Sequence, residues 1–347
     1  MKHKAETLLA GIVHPETGRD IVASGIVERV EAAPDRISVT LHFAKTHDPF
    51  AQKIRREVER TLAEGLPMEK ERISVTVRPT TPAARPTLAG GIGKVLAVAS
   101  GKGGVGKSTV TANLALTLRN MGYRVGILDA DIYGPSQPKM FGVEDYLPDA
   151  EHTDGQDRIV PADVMGIKLM SIGFFIKPSD ALIWRDAMAA NALRQMIHQT
   201  DWGGLDFLLA DLPPGTGGVH LTVISELTVA GAVIVSTPQQ VAVADVRRGV
   251  EMFRAEKIDI PVTGIVENMA WFTPKELPGN RYYIFGRGGA REFAERNDVP
   301  FLGEIPIVQS VMEGSESGRP AVETDETIAA IYRRIAEKVV ENMVKSC

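Results

Sequence analysis

"VLAVASGKGGVGKSTVTANLALTLRNMG", residues Val95–Gly122, decides the architecture of most of this chain. Its opening, "VLAVAS", is short, apolar and suited to a buried strand. Its centre fits G-x-x-x-x-G-K-[ST] through Gly101, Gly106, Lys107 and Ser108. Its close repeats apolar residues at Val110, Leu114 and Leu118, a helical spacing, and Gly122 is placed to stop that helix. Strand, glycine loop and helix in this order make a phosphate-binding loop. Backbone N–H groups from Gly101, Lys102, Gly103, Gly104, Val105, Gly106, Lys107, Ser108 and Thr109 are expected to turn toward phosphate oxygens, aided by the helix N-terminus. Lys107 is expected to reach the β- and γ-phosphates, and the Ser108 hydroxyl to hold Mg²⁺. The pattern needs one lysine. Lys102, directly after Gly101, is a second.

Downstream, short apolar runs alternate with helical patterns. "KVLAVAS", "RVGILDA", "DFLLADLP", "GAVIVSTP", "PVTGIVEN" and "FLGEIP" read as strands buried on both faces of a parallel sheet. Helices fit residues 108–121, 187–199, 243–257 and 326–344. The expected fold is a doubly wound α/β domain of mostly parallel strands, with its ligand at the carboxyl ends of the strands. Two strand ends there are acidic. "GILDADIYGPS" carries Asp129 and Asp131, and "DFLLADLPPGTGG" carries Asp211. Asp211 is the better candidate for a carboxylate that holds Mg²⁺ through water. Two carboxylates as close as Asp129 and Asp131 are costly unless a cation sits nearby.

Residues 79–93, "PTTPAARPTLAGGIG", hold three prolines and three glycines and read as a linker between residues 1–78 and 94–347. The first part has alternating strands at "ISVTLHF" and "ISVTVRP", an earlier strand at "IVASGIVERVEAA", and a helix with apolar Phe50, Ile54, Val58 and Leu62. This implies a small α+β module.

The bulk properties narrow the function classes. The chain has 347 residues, 44% of them hydrophobic and 24% charged, with a net charge of −5. That balance gives no global field for nucleic acid or anionic lipid. The one cysteine, Cys347, is the last residue, so no disulfide framework forms within the chain. The N-terminal apolar run is too short for a signal peptide, and no stretch approaches the ~18 apolar residues of a membrane span. A cytoplasmic location is expected. "ETDETIAAIYRRIAEKVVENMVKSC" has four basic and five acidic residues, so this helix should avoid anionic lipid and turn its apolar face to the core.

The motifs also resemble a family. "GKGGVGKST" is similar to the deviant Walker A loop of the MinD/ParA group of P-loop ATPases, which includes the nitrogenase iron protein. "DADIYGPSQP", "WRDAMAANALRQM", "DFLLADLPPGTGG", "STPQQVAVADVRRG" and "VENMAWF" together resemble its Mrp/ApbC branch, described as iron–sulfur cluster carriers. "VHPETGRDIVASGIV" is similar to the opening of the small SufT-like domain often fused to that branch.

The resemblance implies a Mg²⁺-dependent ATPase acting as a homodimer, with apoprotein clients or iron–sulfur assembly proteins as partners, and no nucleic acid or membrane. It implies that Lys102 crosses to the other subunit's phosphates and neutralises transition-state charge, and that Asp131 positions the attacking water. Asp129 and Asp211 match residues around Mg²⁺. Asn268 matches the asparagine that reads adenine, a role an amide suits because it both donates and accepts; a plain turn asparagine is the other reading.

The sequence departs from the branch in three places. A Cys-x-x-Cys pair is expected after "ENM", where thiolates bind a [4Fe–4S] cluster between subunits. Here Thr273, Pro274, Lys275 and Glu276 stand there, so an iron–sulfur cluster lacks its usual ligands. Asp48 replaces a frequent cysteine of the SufT-like module, and Gly218 replaces a usual aspartate. Cys347 is one thiolate per subunit, too few for a cluster. The aromatic "WFTPKELPGNRYYIF" reads either as a docking surface or as a hairpin packed on itself or on the neighbouring subunit. A nucleotide switch or scaffold without a cluster of its own is the alternative function.

Overall fold

Alternation along "ISVTLH" becomes a half-buried strand in the computed structural model, with Ile37, Val39 and Leu41 facing a core and the residues between them partly exposed. The structure describes residues 2–15, 18–32, 36–43, 50–68, 72–78, 91–153, 156–175, 186–274 and 276–345. The chain divides into two units, residues 1–85 and 86–347. Trp184, Arg185, Lys275, Asp48 and Cys347 lie outside the described residues, as does the proline-rich part of the linker.

The first unit contains α1 (Lys2–Leu9), β1 (Val27–Ala32), β2 (Ile37–His42), α2 (Ala51–Gly65) and β3 (Ile73–Arg78). β1 pairs antiparallel with β2, which pairs in parallel with β3 across the α2 crossover. Ile54, Val58 and Leu62 form the buried face of α2. The first strand starts later than its sequence pattern implies. Asp20 Oδ1 accepts the N–H groups of Val22 at 3.0 Å and Ala23 at 2.7 Å, which curls residues 21–25 into a turn.

The second unit runs through β4 (Ile92–Ala99), α3 (Lys107–Asn120), β5 (Val125–Asp129), α4 (Gln137–Met140), β6 (Ala150–Thr153), β7 (Gln156–Ile159), β8 (Ala162–Val164) and β9 (Ile167–Ser171). It continues with α5 (Asp186–Gln199), β10 (Leu205–Asp211), α6 (Gly218–Glu226), β11 (Val229–Ser236), α7 (Gln240–Arg254) and β12 (Val262–Glu267). α8 (Gly289–Arg296), β13 (Phe301–Glu304), α9 (Gln309–Glu316) and α10 (Glu326–Lys345) complete it. β4 begins at Ile92, two residues inside the segment read as linker.

Eight strands form one sheet in the order β13-β12-β11-β4-β10-β5-β9-β8. All neighbours are parallel except β8 and β9. The six runs read as strands occupy six of these positions. β8 and β9 were not among them. The chain leaves β4 through α3 for β5, passing over the position later filled by β10, and after β10 it crosses to the far side of β4 as β11. The strand order therefore reverses beside β4, and the loops after β4, β5 and β10 open into one crevice.

Strands such as β5 and β12 are buried along their whole length, which explains their mainly apolar sequences, with Asp129 and Glu267 at their carboxyl ends. Each fully buried side chain such as Leu208 or Ile234 contributes about 1.5–3 kcal/mol. α3 is also buried beyond the stripe of Val110, Leu114 and Leu118, with every residue from Val110 to Leu118 enclosed. Its polar members are satisfied within this setting. Asn113 Oδ1 accepts Val322 N–H at 3.1 Å, and Thr117 Oγ1 donates to Asn113 O at 2.7 Å. In α10, Ile328, Ile335 and Val339 are buried, as the sequence pattern of that helix required. No helix among the described residues is long and apolar enough to cross a membrane.

Candidate nucleotide-binding site

The phosphate loop links β4 to α3. Gly106 takes φ +80° at the N-cap of α3, a left-handed conformation that suits glycine, and no side chain caps the helix there. The first-turn N–H groups thus remain open to an anion. Gly101 is required for a different reason. A Cβ there would collide with the backbone of Asp245 in α7, closer than real Cβ contacts allow. The loop lies tight against α7, and Gly101 lets it fit.

Lys107 is the first residue of α3, and its side chain is buried. Its Nζ donates to the Asp211 carboxylate, lies 3.1 Å from Ser108 Oγ and lies 3.9 Å from Asp131 Oδ2. Asp211 ends β10 and is fully buried. It also accepts from Thr111 Oγ1 at 3.2 Å and Gln137 Nε2 at 2.8 Å. Gln137 Nε2 reaches Ser108 O at 3.0 Å as well, joining α4 to the loop.

Parallel pairing of β5 with β10 sets Asp129 opposite Asp211. Asp129 accepts Ser171 Oγ–H at 2.9 Å, Gln137 N–H at 3.2 Å and Asp131 N–H at 3.2 Å. Burial, followed by the neighbouring Asp211 charge, pushes its carboxyl up to about 7, although Lys107, the Ser171 hydroxyl and the Gln137 N–H oppose the shift. Asp131 is raised by burial too, with Lys107 the chief opposing influence. The three aspartates read from strand ends therefore meet around one ammonium group.

Asn268, just past β12, is held at two points. Its N–H donates to Ser236 O at 2.7 Å, and its Nδ2 donates to Val105 O at 2.8 Å. It thereby fastens the end of β12 to the phosphate loop. Beside it opens a cavity of about 370 Å³ lined by Gly106, Thr109, Met140, Met269, Val308 and Met312 among others. A second cavity of about 480 Å³ contains Asp131, Tyr133, Pro213, Pro214 and His220. A third cavity, about 790 Å³ and larger than these two, lies between Trp271, β13 and α10 and contains no phosphate-loop residue, so volume does not mark the site.

Lys102 stands apart from the other site residues. Its side chain is exposed, and no carboxylate pairs with it among the described residues. Cys347 lies outside those residues. Thr111, Gln137, Ser171 and His220 escaped the sequence reading. Gln137 carried one signal, its place between an acidic strand end and a proline at the first turn of α4.

A family profile described as "NUBPL iron-transfer P-loop NTPase" matches residues 91–340. The chain belongs to this family. A second profile, "Iron-sulfur cluster assembly protein", matches residues 2–77 of this NUBPL-family chain. An "Iron-sulfur cluster carrier protein" of Synechocystis sp. is 37% identical over 341 residues, 96% of each chain. A protein of the same name from Aquifex aeolicus is 46% identical, over 74% of this chain and 69% of the relative. A solved nucleotide-binding protein from Archaeoglobus fulgidus, in complex with ADP, is 44% identical with a TM-score of 0.57, covering 66% of this chain and 88% of its own. MinD from Pyrococcus furiosus is 22% identical with a TM-score of 0.54, over 72% of this chain and 99% of its own. That likeness is one of fold.

In this NUBPL-family chain the segment after Asn268 is a hairpin. Phe272 and Tyr282 exchange N–H···O bonds of 2.8 Å in both directions, and Arg281 stacks 4.4 Å from the Trp271 ring centre. The stretch pairs with itself, and Leu277, Tyr282 and Ile284 within it stay exposed, so both readings of it stand. Thr273, Pro274 and Glu276 follow the bridge on its first strand side, and none of them is a thiolate ligand.

Proposed function

We propose that this chain binds and hydrolyses ATP with Mg²⁺ between two copies of itself, and that this cycle drives transfer of iron–sulfur clusters to apoproteins. The observation that carries the reading is the buried Lys107–Asp211 pair at the base of the phosphate loop, in a chain whose relatives are named iron–sulfur cluster carriers. Lys107 and the open N–H groups at the start of α3 would take the phosphates. Asn268 and the cavity beside it would take the adenine ring. Ser108 fits a direct Mg²⁺ ligand, while Asp211 and Asp129, whose oxygens already accept several hydrogen bonds, fit contacts through water. Among the described residues no group of three His, Cys, Asp or Glu side chains forms a metal site. A cation held by few protein groups plus phosphates and water is the usual Mg²⁺ arrangement. When bound, Mg²⁺ supplies charge neutralisation on the phosphates.

Asp131, largely buried but lining the second cavity, would orient the attacking water. Exposed, and without a carboxylate partner among the described residues, Lys102 is suited to act across a dimer and would stabilise charge on the second copy's phosphates.

The cluster is cargo, and the chain has one cysteine, Cys347. The ligands then come largely from a partner protein that works with this ATPase. The same observation favours a second reading, a nucleotide switch or scaffold with no cluster of its own. Anaerobic reconstitution separates them. Iron and sulfide are counted per dimer, alone and with candidate assembly proteins, and cluster transfer to an apo-ferredoxin is followed with and without ATP. ATP-dependent transfer supports the carrier reading. ATP hydrolysis with no cluster bound or transferred under any condition leaves the switch.

A further inference from the structure

α6 starts immediately after the loop that follows Asp211, and its third residue is His220. That side chain is 1% exposed. Neither Nδ1 nor Nε2 has a hydrogen-bond partner among the described residues. Leaving such a group unsatisfied costs about 1–3 kcal/mol, so an apolar residue of similar size would make a more stable core. Burial and the Lys107 charge push the imidazole down to about 4, against the pull of the Gly217 and Pro213 carbonyls, neither of which its ring nitrogens meet in a directed bond. The ring is therefore uncharged near neutral pH, with one N–H to donate and one nitrogen to accept.

Its surroundings point toward the nucleotide site. His220 lines the cavity of about 480 Å³ that also contains Asp131, Tyr133, Gly134, Pro213 and Pro214. The loop in front of it is tied to the phosphate loop, since Gly215 N–H donates to Ser100 O at 2.9 Å. Leu212 N–H likewise donates to Val98 O at 3.0 Å, continuing the join with β4. The imidazole thus sits behind a short tethered loop, facing the same space as the residue assigned to the attacking water.

We propose that His220 is a positioning residue for hydrolysis, holding an oxygen of the terminal phosphate, or of the water beside it, in the cavity it shares with Asp131. This rests on the nucleotide reading above. The role requires hydrogen bonding by the ring and no change in its charge. A side chain that merely fills the core would be served as well by phenylalanine.

Three measurements test it. First, protein labelled with ¹⁵N in histidine is titrated with Mg–ADP, with a non-hydrolysable ATP analogue and with Mg–ADP plus aluminium fluoride, and the His220 signals are assigned by their loss in His220→Gln. The ring signals should move with the analogue if a phosphate oxygen is held, or only with aluminium fluoride if the water is held. They should not move with ADP alone. Equal responses to all three overturn the proposal. Second, His220→Phe should lower kcat about 10- to 100-fold with KM within about twofold, and His220→Gln should restore most of the rate. A phenylalanine variant that is more stable and hydrolyses at the normal rate also overturns it. Third, nucleotide binding by the unmodified protein is measured separately. If ATP binds but is not hydrolysed, the ATPase reading falls while the ring signals still decide the role of His220.

Discussion

The Lys107 ammonium donates to the Asp211 carboxylate beneath the phosphate loop, so the lysine that would contact phosphate also neutralises a buried cluster of aspartates. Lys107→Met should abolish ATP binding. It should also destabilise the fold, since stripping one partner from a buried ion pair costs about 3–5 kcal/mol, lessened here by protonation of Asp129. Lys107→Met combined with Asp211→Asn should regain most of that stability without regaining ATP. Urea unfolding and titration with a fluorescent ATP analogue measure the two effects. Unchanged affinity in Lys107→Met would remove Lys107 from the phosphate site.

The difference between what was legible and what was not follows sequence distance. Lys107, Ser108 and the glycines are adjacent in the chain, and the geometry of a phosphate loop is local. Asp129 and Asp211 could be placed at strand ends because each closes an apolar run. Their neighbours could not be placed. Ser171 reaches Asp129 only because β9 lies beside β5, and β9 itself was missed. Gln137 reaches Asp211 only because β5 lies beside β10. α6 was missed for a local reason. "GVHLTVISE" starts on glycine, is rich in β-branched residues and has no broad polar face, so its periodicity is weak. The amide of Asn268 was read as a base contact, but its hydrogen bond to Val105 O depends on packing between segments 163 residues apart.

The exposure of Lys102 separates its expected effects from those of Lys107. Lys102→Ala should keep ATP affinity within about threefold and lower hydrolysis about 100- to 1,000-fold, the scale of losing one charge-stabilising donor. Asp131→Ala should also bind and fail to hydrolyse. A mixture of the two inactive variants is the sharper test. In a mixed dimer, one site combines an intact Asp131 with the other copy's intact Lys102. Equal mixing should recover about a quarter of the normal rate if subunits exchange freely between two-fold dimers. A mixture as inactive as its components would show that Lys102 does not act across the interface.

The pKa of Asp129 makes stability depend on pH in an uncommon direction. Its carboxyl rises from the ordinary 3.8 to about 7 on folding, so between these values the folded chain holds a proton that the unfolded chain has lost. Its contribution to stability is fully present below about 3.8 and is lost as pH rises toward 7. Asp129→Asn, which keeps the shape and cannot ionise, should gain stability relative to the natural protein steadily as pH rises from about 4 to 7, with the full gain at pH 8. Unfolding in urea across that range, without added divalent cations, reads the difference. A constant difference across pH would remove Asp129 as its origin.

Gly106 and Asn268 should behave as one unit. Asn268→Ala removes the tether to Val105 O and should raise the ATP Kd about 10-fold, the size of one buried hydrogen bond, while weakening preference for ATP over GTP. Gly106→Ala places a Cβ against Asn268 Nδ2 at φ +80°, so it adds a clash to about 1–2 kcal/mol of backbone strain. Its ATP Kd should rise by more than 100-fold if the loop is pushed open. Shortening Asn268 in the Gly106→Ala background should relieve the clash and leave the strain. The double variant should then bind ATP better than Gly106→Ala alone, a coupling that isothermal titration of all four proteins measures directly. Additive losses would show that the two residues do not meet in solution, and that the loop is held by contacts other than the Asn268 amide.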